Sequence, residues 1–201
     1  MSYGEKMKWK ELKSEIRDLG FESDQQMTDY STIVINSVNR AISIINADVY
    51  GAKAKTRITQ DGTAEGIVTY DLADITSDFL KLEIVYRIEE GVLSVFNDYE
   101  LTEESKVLMD NSLVGTFDFH YIKKLPAVTS STSPEAEIGV AKKVEHLVAL
   151  LAAHYVWKDD DVQKSTDYWN EYDMLKDDFL EAQERERKPK ATVIGGLTWD
   201  N

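Results

Sequence analysis

The hydrophobic period of this chain changes twice, and that change constrains the fold more than any other feature. Apolar residues recur at helical spacing near both ends, whereas the middle alternates at the two-residue period of strands. In residues 7–19, Leu12, Ile16 and Leu19 make a helical stripe, and Gly20 is placed to end it as a C′ glycine. Ser23 and Gln26 have capping-box spacing. From Met27 onward, Tyr30, Ile33, Val34, Val38, Ala41, Ile42 and Ile45 predict one long helix reaching Ala47, closed by Gly51.

Beyond Gly51 the turn signals Asp61-Gly62, Glu90-Gly91, Asn97-Asp98 and Asp110-Asn111 punctuate β-branched and aromatic runs. Residues 57–59 and 66–70 flank the Asp61-Gly62 turn. In residues 80–88, Leu80, Leu82, Ile84, Tyr86 and Ile88 fall on one face, with Lys81, Glu83, Val85 and Arg87 on the other. Residues 91–96 and 116–123 complete the set; Phe117, Phe119 and Tyr121 lie opposite Asp118, His120 and Ile122, with His120 expected in solvent. The pattern predicts an antiparallel meander with one buried face, with residues 102–109 as a single helical turn between strands.

Residues 126–134, PAVTSSTSP, read as a linker. Ser133 then suits an N-cap and Pro134 the first helical position, with Glu135 and Glu137 against the positive helix end. This third helix is expected to reach Trp157, with Ala149, Ala152 and Ala153 allowing close approach of a neighbour. Asp159, Asp160 and Asp161 make the break and cap a fourth helix, which fades into EAQERERK before Pro189. The expected fold class is α+β: a four-helix module, two helices from each end of the chain, with an inserted antiparallel β domain and an extended C-terminal arm. The divisions are 1–50, 51–132, 133–189 and 190–201.

Charge and composition narrow the chemistry. Lys and Arg number 23 against 37 Asp and Glu, giving −14. The acids exceed the bases in each of residues 1–50, 51–132 and 133–201, so the excess is dispersed surface charge. Sequence-independent DNA binding needs clustered cations to neutralise phosphates, and that is absent. Zero cysteine removes disulfides, thiolate metal sites and cysteine nucleophiles. No apolar run approaches the roughly 18–20 residues of a membrane span, and the opening MSYGEKMKWKELK has no apolar core behind it, unlike a signal peptide.

Catalytic signatures are missing: no phosphate-binding GxxxxGK[ST], no GxGxxG, no HExxH and no GxSxG. His146 and His154 are separated by about 12 Å along one predicted helix, too far for a shared metal. The Asp159–Asp161 run lacks the rhythm of a calcium loop and reads as a helix cap; Asp177, Asp178 and Glu181 read as solvated charge. Trp157, Tyr168, Trp169 and Tyr172 have the spacing of core or subunit packing. No catalytic residue, metal or cofactor is expected. One segment resists so plain a reading: the tail carries Val193, Ile194, Gly195, Gly196, Leu197 and Trp199, an apolar liability if exposed. It is either a disordered terminus or an arm that docks on a partner, for which strand addition is one mode.

These residues carry a family resemblance. WKELKSEIRDLGFESDQQMTDYSTIVINSVNRAISIINAD resembles the N-terminal helices of head-to-tail adaptor (connector) proteins of tailed bacteriophages. HLVALLAAHYVWKDDDVQKSTDYWNEYDML resembles their last helix pair, and FHYIKKLPAVTSSTSP the strand and linker before it. The matched patterns are soft and cover about half the chain, at both ends; the β insert carries no signature of its own. The resemblance implies a structural virion protein assembled in the host cytoplasm and resident in the neck between capsid and tail. Such adaptors form a self-assembled ring, typically a dodecamer, beneath the portal protein. The ring extends the DNA channel and docks the next neck or tail protein. It also implies a portal-binding arm, assigned by position to residues 190–201. A channel wall of acids, for which Asp159, Asp160, Asp161, Asp177 and Asp178 are candidates, would let double-stranded DNA pass without being gripped. Two other readings are a different neck component (stopper or tail-completion protein) and a non-viral ligand-binding module in which Tyr70, Tyr86, Phe96 and Tyr99 of the β insert supply stacking.

Overall fold

Helices form at both ends of the chain and antiparallel strands between them, an α+β arrangement seen in a computed structural model that describes residues 6–63 and 65–187. A short strand, β1 (Lys6–Lys8), leads into α1 (Trp9–Gly20), which buries Trp9, Leu12, Ile16 and Gly20 on one face. Gly20 is not the C′ glycine expected. It is the last helical residue, Phe21 follows in extended conformation, and the Phe21 N–H donates to the Arg17 carbonyl. Its smallness serves packing instead: a Cβ there would lie 2.5 Å from Nε1 of Trp157. Gly20→Ala is therefore expected to destabilise the protein by about 1–3 kcal/mol through overpacking. The measurement is the urea midpoint followed by tryptophan fluorescence, and an unchanged midpoint would mean that Trp157 can yield.

The single long helix expected over 23–47 is divided. Helix α2 (Asp24–Asp29) stops at Tyr30, and α3 (Ser31–Ile45) continues from it. Ser23 Oγ accepts the Gln26 N–H at 3.2 Å, while Gln26 Oε1 accepts from the N–H of Glu22 at 2.9 Å, so the box closes one residue early. The break places Tyr30 in a cluster: its ring lies 5.8 Å from Phe21 and 5.6 Å from Trp157, and its hydroxyl donates to Asp160 Oδ2 at 2.7 Å. After α3 a wider π-helical turn (Asn46–Tyr50) ends at Gly51, which supplies the left-handed φ of +65°.

The helix expected from Ser133-Pro134 does not begin there. Residues Glu137–Ala141 form a strand, β9, paired antiparallel with β1, and Gly139 takes φ +82°, which an α-helix cannot contain. Glu135 accepts from Lys8 and Lys10 instead of capping. A 3-10 turn (Lys142–Val144) follows, then α5 (Glu145–Trp157) and α6 (Val162–Arg187). Helix α5 buries Leu147 to Ala153 without interruption because α1, α3 and α6 all pack on it. Residues 126–134 are not a plain linker either: Val128 is buried, and the Asn39 side chain both accepts its N–H (2.8 Å) and donates to its carbonyl (2.9 Å).

The intervening segment contains β2 (Lys53–Asp61), β3 (Ile67–Asp71), a short helix α4 (Leu72–Ile75), β4 (Phe79–Glu89), β5 (Val92–Phe96), β6 (Glu100–Thr102), β7 (Lys106–Asp110) and β8 (Val114–Lys123). It is not one meander but two antiparallel sheets, ordered β2-β8-β4-β5 and β3-β7-β6. Residues 102–109 hold no helix: the end of β6 and most of β7 flank a tight turn at residues 103–105. The Asp61-Gly62 turn does not make a hairpin, since β2 joins β8 in one sheet and β3 joins β7 in the other. Between the sheets lies a second core of Phe79, Val85, Phe96, Val107, Met109, Phe117, Phe119 and Tyr121. Two register irregularities in β4, at Phe79/Lys81 and Leu82/Ile84, shift the expected face. Leu82 and Val85 turn into the core, and Ile84, Tyr86 and Ile88 lie on the opposite face beside His120, Asp118 and Thr116.

Candidate functional site

The five candidate acids sit on the outward side of the C-terminal helix pair, and all are exposed. Within the α5–α6 turn, Asp161 Oδ1 accepts the Lys164 N–H at 3.0 Å, the N-cap role expected of it. Asp160 is engaged by the Tyr30 hydroxyl, and that hydrogen bond raises the Tyr30 pKa. Along α6, Ser165, Tyr168, Tyr172, Leu175 and Phe179 turn toward the rest of the protein, while Asp177 and Asp178 are on the far side. The aromatic cluster is core packing, as expected, for Trp157 and Tyr172, but Trp169 keeps 40% of its surface exposed. The arm residues Val193, Ile194, Gly195, Gly196, Leu197 and Trp199 lie outside the described residues.

The histidines take separate positions. His146 Nδ1 is 2.6 Å from Glu15 Oε1, and its Nε2 is 3.7 Å from Glu171, tying α5 to α1 and α6. His154 Nδ1 meets Ser165 on α6. His120 is half-buried rather than solvated: its ring meets Tyr86 edge-on at 4.9 Å. Among the described residues no group of His, Asp and Glu side chains is placed to hold a metal ion. The four aromatics weighed as a stacking platform are split. Tyr70, Phe96 and Tyr99 pack on the inter-sheet core, while Tyr86 lies on the outer face.

Two features of the charged surface escape sequence reasoning. On the outer sheet face, Asp118 has no exposed side-chain surface, since Arg57 and Lys55 lie over it. Arg57 Nε donates to Oδ1 at 2.6 Å and Nη2 to Oδ2 at 2.9 Å; Lys55 Nζ donates to Oδ2 at 2.9 Å. Arg57 foremost, with Lys55, holds the Asp118 carboxyl well below the usual carboxylate range against the opposing effect of burial. The alternation of β2 placed its cations on one face, but only the β2–β8 register puts a carboxylate beneath them.

The second feature is an open cleft of about 860 Å³ where the helices meet the sheets, bordered by Lys6, Lys53, Lys123 and Lys124 with Asp78 and Glu137. Lys6 pairs with Glu137 at 3.1 Å and Lys53 with Glu83 at 2.9 Å, so much of its charge is offset internally. Asp78 is held below its ordinary pKa, chiefly by the Tyr121 hydroxyl. Beside this cleft the buried Asn46 joins the two halves, its Nδ2 donating to the Lys123 carbonyl (2.8 Å) and its Oδ1 accepting from Ala52 N–H (2.9 Å). These arrangements bind segments of the chain to one another and offer charged surface. No helix among the described residues is long and apolar enough to cross a membrane. No protein-family model and no curated protein matches this chain.

Proposed function

We propose that this chain is a structural virion protein, a head-to-tail adaptor that forms a ring below the portal of a tailed bacteriophage, extends the DNA channel and docks the next neck or tail component. In this reading α1, α3, α5 and α6 form a four-helix module, residues 51–132 are an insert that decorates it, and the tail from residue 190 is the portal-binding arm. The protein works by assembly, without catalysis or cofactor.

The observation that supports the reading most is the packing around α5. Helices from both ends of the chain, the two stretches that carry the adaptor resemblance, meet on this one alanine-rich helix. The exposed acids of α6 and of the α5–α6 turn suit a wall past which DNA slides, because like charge repels phosphate. Asp159, Asp160, Asp161, Asp177 and Asp178 are assigned to that wall.

The test is the mass of the purified protein with and without portal protein. Addition of portal is expected to convert the free subunit into a ring-bearing complex. Removal of residues 190–201 is expected to leave a folded subunit that no longer attaches. Normal attachment of the truncated chain would overturn the arm assignment. Capture by tail-tube protein in place of portal would move the chain to a stopper or tail-completion role.

A further inference from the structure

We propose that residues 188–201 dock back into the cleft between the helices and the sheets of their own subunit, so that the free chain holds its tail against itself until a partner takes it. The inference goes beyond the adaptor reading and does not depend on it.

The course of α6 brings the tail to this cleft. Near the end of the helix, Gln183 Nε2 donates to the Val49 carbonyl at 3.4 Å, across the π-helical turn. Leu180, Gln183 and Glu184 border a small hollow of about 290 Å³ together with Tyr50 and Lys53. Tyr50 and Lys53 also border the cleft of about 860 Å³, so the two open side by side. Arg187, the last residue of α6, is about one helical turn past Gln183. Residues 188–197 span up to about 33 Å when extended. The tail therefore starts at the mouth of the cleft and is long enough to cross it.

Its composition matches the walls in order. Glu83 and Glu184 stand at the hollow, where Lys188 and Lys190 follow α6. Tyr50, Ala52, Leu125 and Pro126 form the apolar side of the cleft, and Val193, Ile194, Leu197 and Trp199 supply side chains to cover it. Docking there also removes the liability of that apolar run in water. The charge account leaves one cation over. Lys6 pairs with Glu137, Lys53 pairs with Glu83, Lys123 attracts Asp78, and Lys124 has no side-chain partner among the described residues. Asp200 is the single acid of the tail. Residues 1–5 also adjoin the cleft, through Lys6, but bring only Met1 and Tyr3 as large apolar side chains.

Because the chain has no cysteine, introduced thiols report alone. The full chain carries Ser77→Cys, on the cleft wall, with Leu197→Cys in the tail. It is treated at high dilution with a short bismaleimide, and internal links are followed by mass spectrometry of the digested chain. The reference pair is Glu181→Cys with Leu197→Cys: Glu181 is exposed on α6 and closer in the chain, so an undocked tail meets it readily. The cleft pair is expected to link about tenfold faster than the reference pair, because docking raises the local concentration of one thiol around the other. Adding Ile194→Ser and Trp199→Ser is expected to erase that advantage, and neither substitution touches the described fold. Equal rates for the two pairs would overturn the proposal. An advantage that survives both serines would overturn it too, since the apolar contact carries it. Covalent dimers in place of internal links would overturn it in favour of exchange between copies. A cleft link that forms only after removal of residues 1–5 would overturn it in favour of those residues as the occupant. No portal is present in these reactions, so their failure leaves the adaptor reading standing, and a chain that does not join portal can still show the cleft link.

Discussion

Phe119→Ala is expected to lower the stability of the sheet region by about 3–5 kcal/mol, the usual cost of truncating a fully buried ring. Phe119 has no exposed surface and sits on β8, which pairs with both β2 and β4, so the cavity would open at the centre of the two-sheet core. Leu151→Ala is the counterpart in the helical core and is expected to cost about 2–5 kcal/mol. The two cores share no buried residue. The four tryptophans, Trp9, Trp157, Trp169 and Trp199, are all outside residues 51–132, so their fluorescence reports on the helical part. In urea, Phe119→Ala should shift unfolding followed by amide hydrogen exchange of the strands in residues 53–123 more than the fluorescence transition, and Leu151→Ala should do the reverse. Coincident shifts for both variants would show one cooperative unit, coupled through Asn46 and the Val128 loop.

What could be read from the sequence was what local chemistry decides. Gly51 ends a helical run because a left-handed residue is needed there, and Asp161 caps α6 because its carboxylate reaches an orphan N–H. Phe117, Phe119 and Tyr121 fall on the buried face by simple alternation. What could not be read depends on partners far away in the chain. Ser133-Pro134 has every local mark of a helix start, yet β1, more than a hundred residues earlier, captures Glu137–Ala141 as a strand. The β4 irregularities leave no signature in a run that alternates well, and they move Val85 inside and Ile84 outside. The candidate acids of α6 were legible as surface charge because the apolar stripe beside them fixes the helix face. The Asp118 cluster was not, since Lys55 and Arg57 precede it by 63 and 61 residues.

That cluster carries the second large effect. Asp118→Ala is expected to cost about 2–3 kcal/mol, the scale of lost charge-assisted hydrogen bonds. The cost stays at that level because Lys55 and Arg57 remain more than half exposed and regain water when their partner is removed. The same group makes stability depend on pH with a definite sign. Its pKa in the folded protein lies below its unfolded value of about 3.9. The native state therefore favours the ionised form, and the contribution is fully present above that unfolded value. As pH falls through about 4 and below, the unfolded chain takes up a proton that the folded chain resists, and stability drops progressively. In urea titrations at descending pH, wild type should lose stability faster than Asp118→Ala below about pH 4, so that the two curves converge. Parallel curves would mean that Arg57 and Lys55 do not hold the carboxylate ionised. Arg57→Gln should reproduce part of that flattening, because it removes two of the three donors and leaves Lys55 in place.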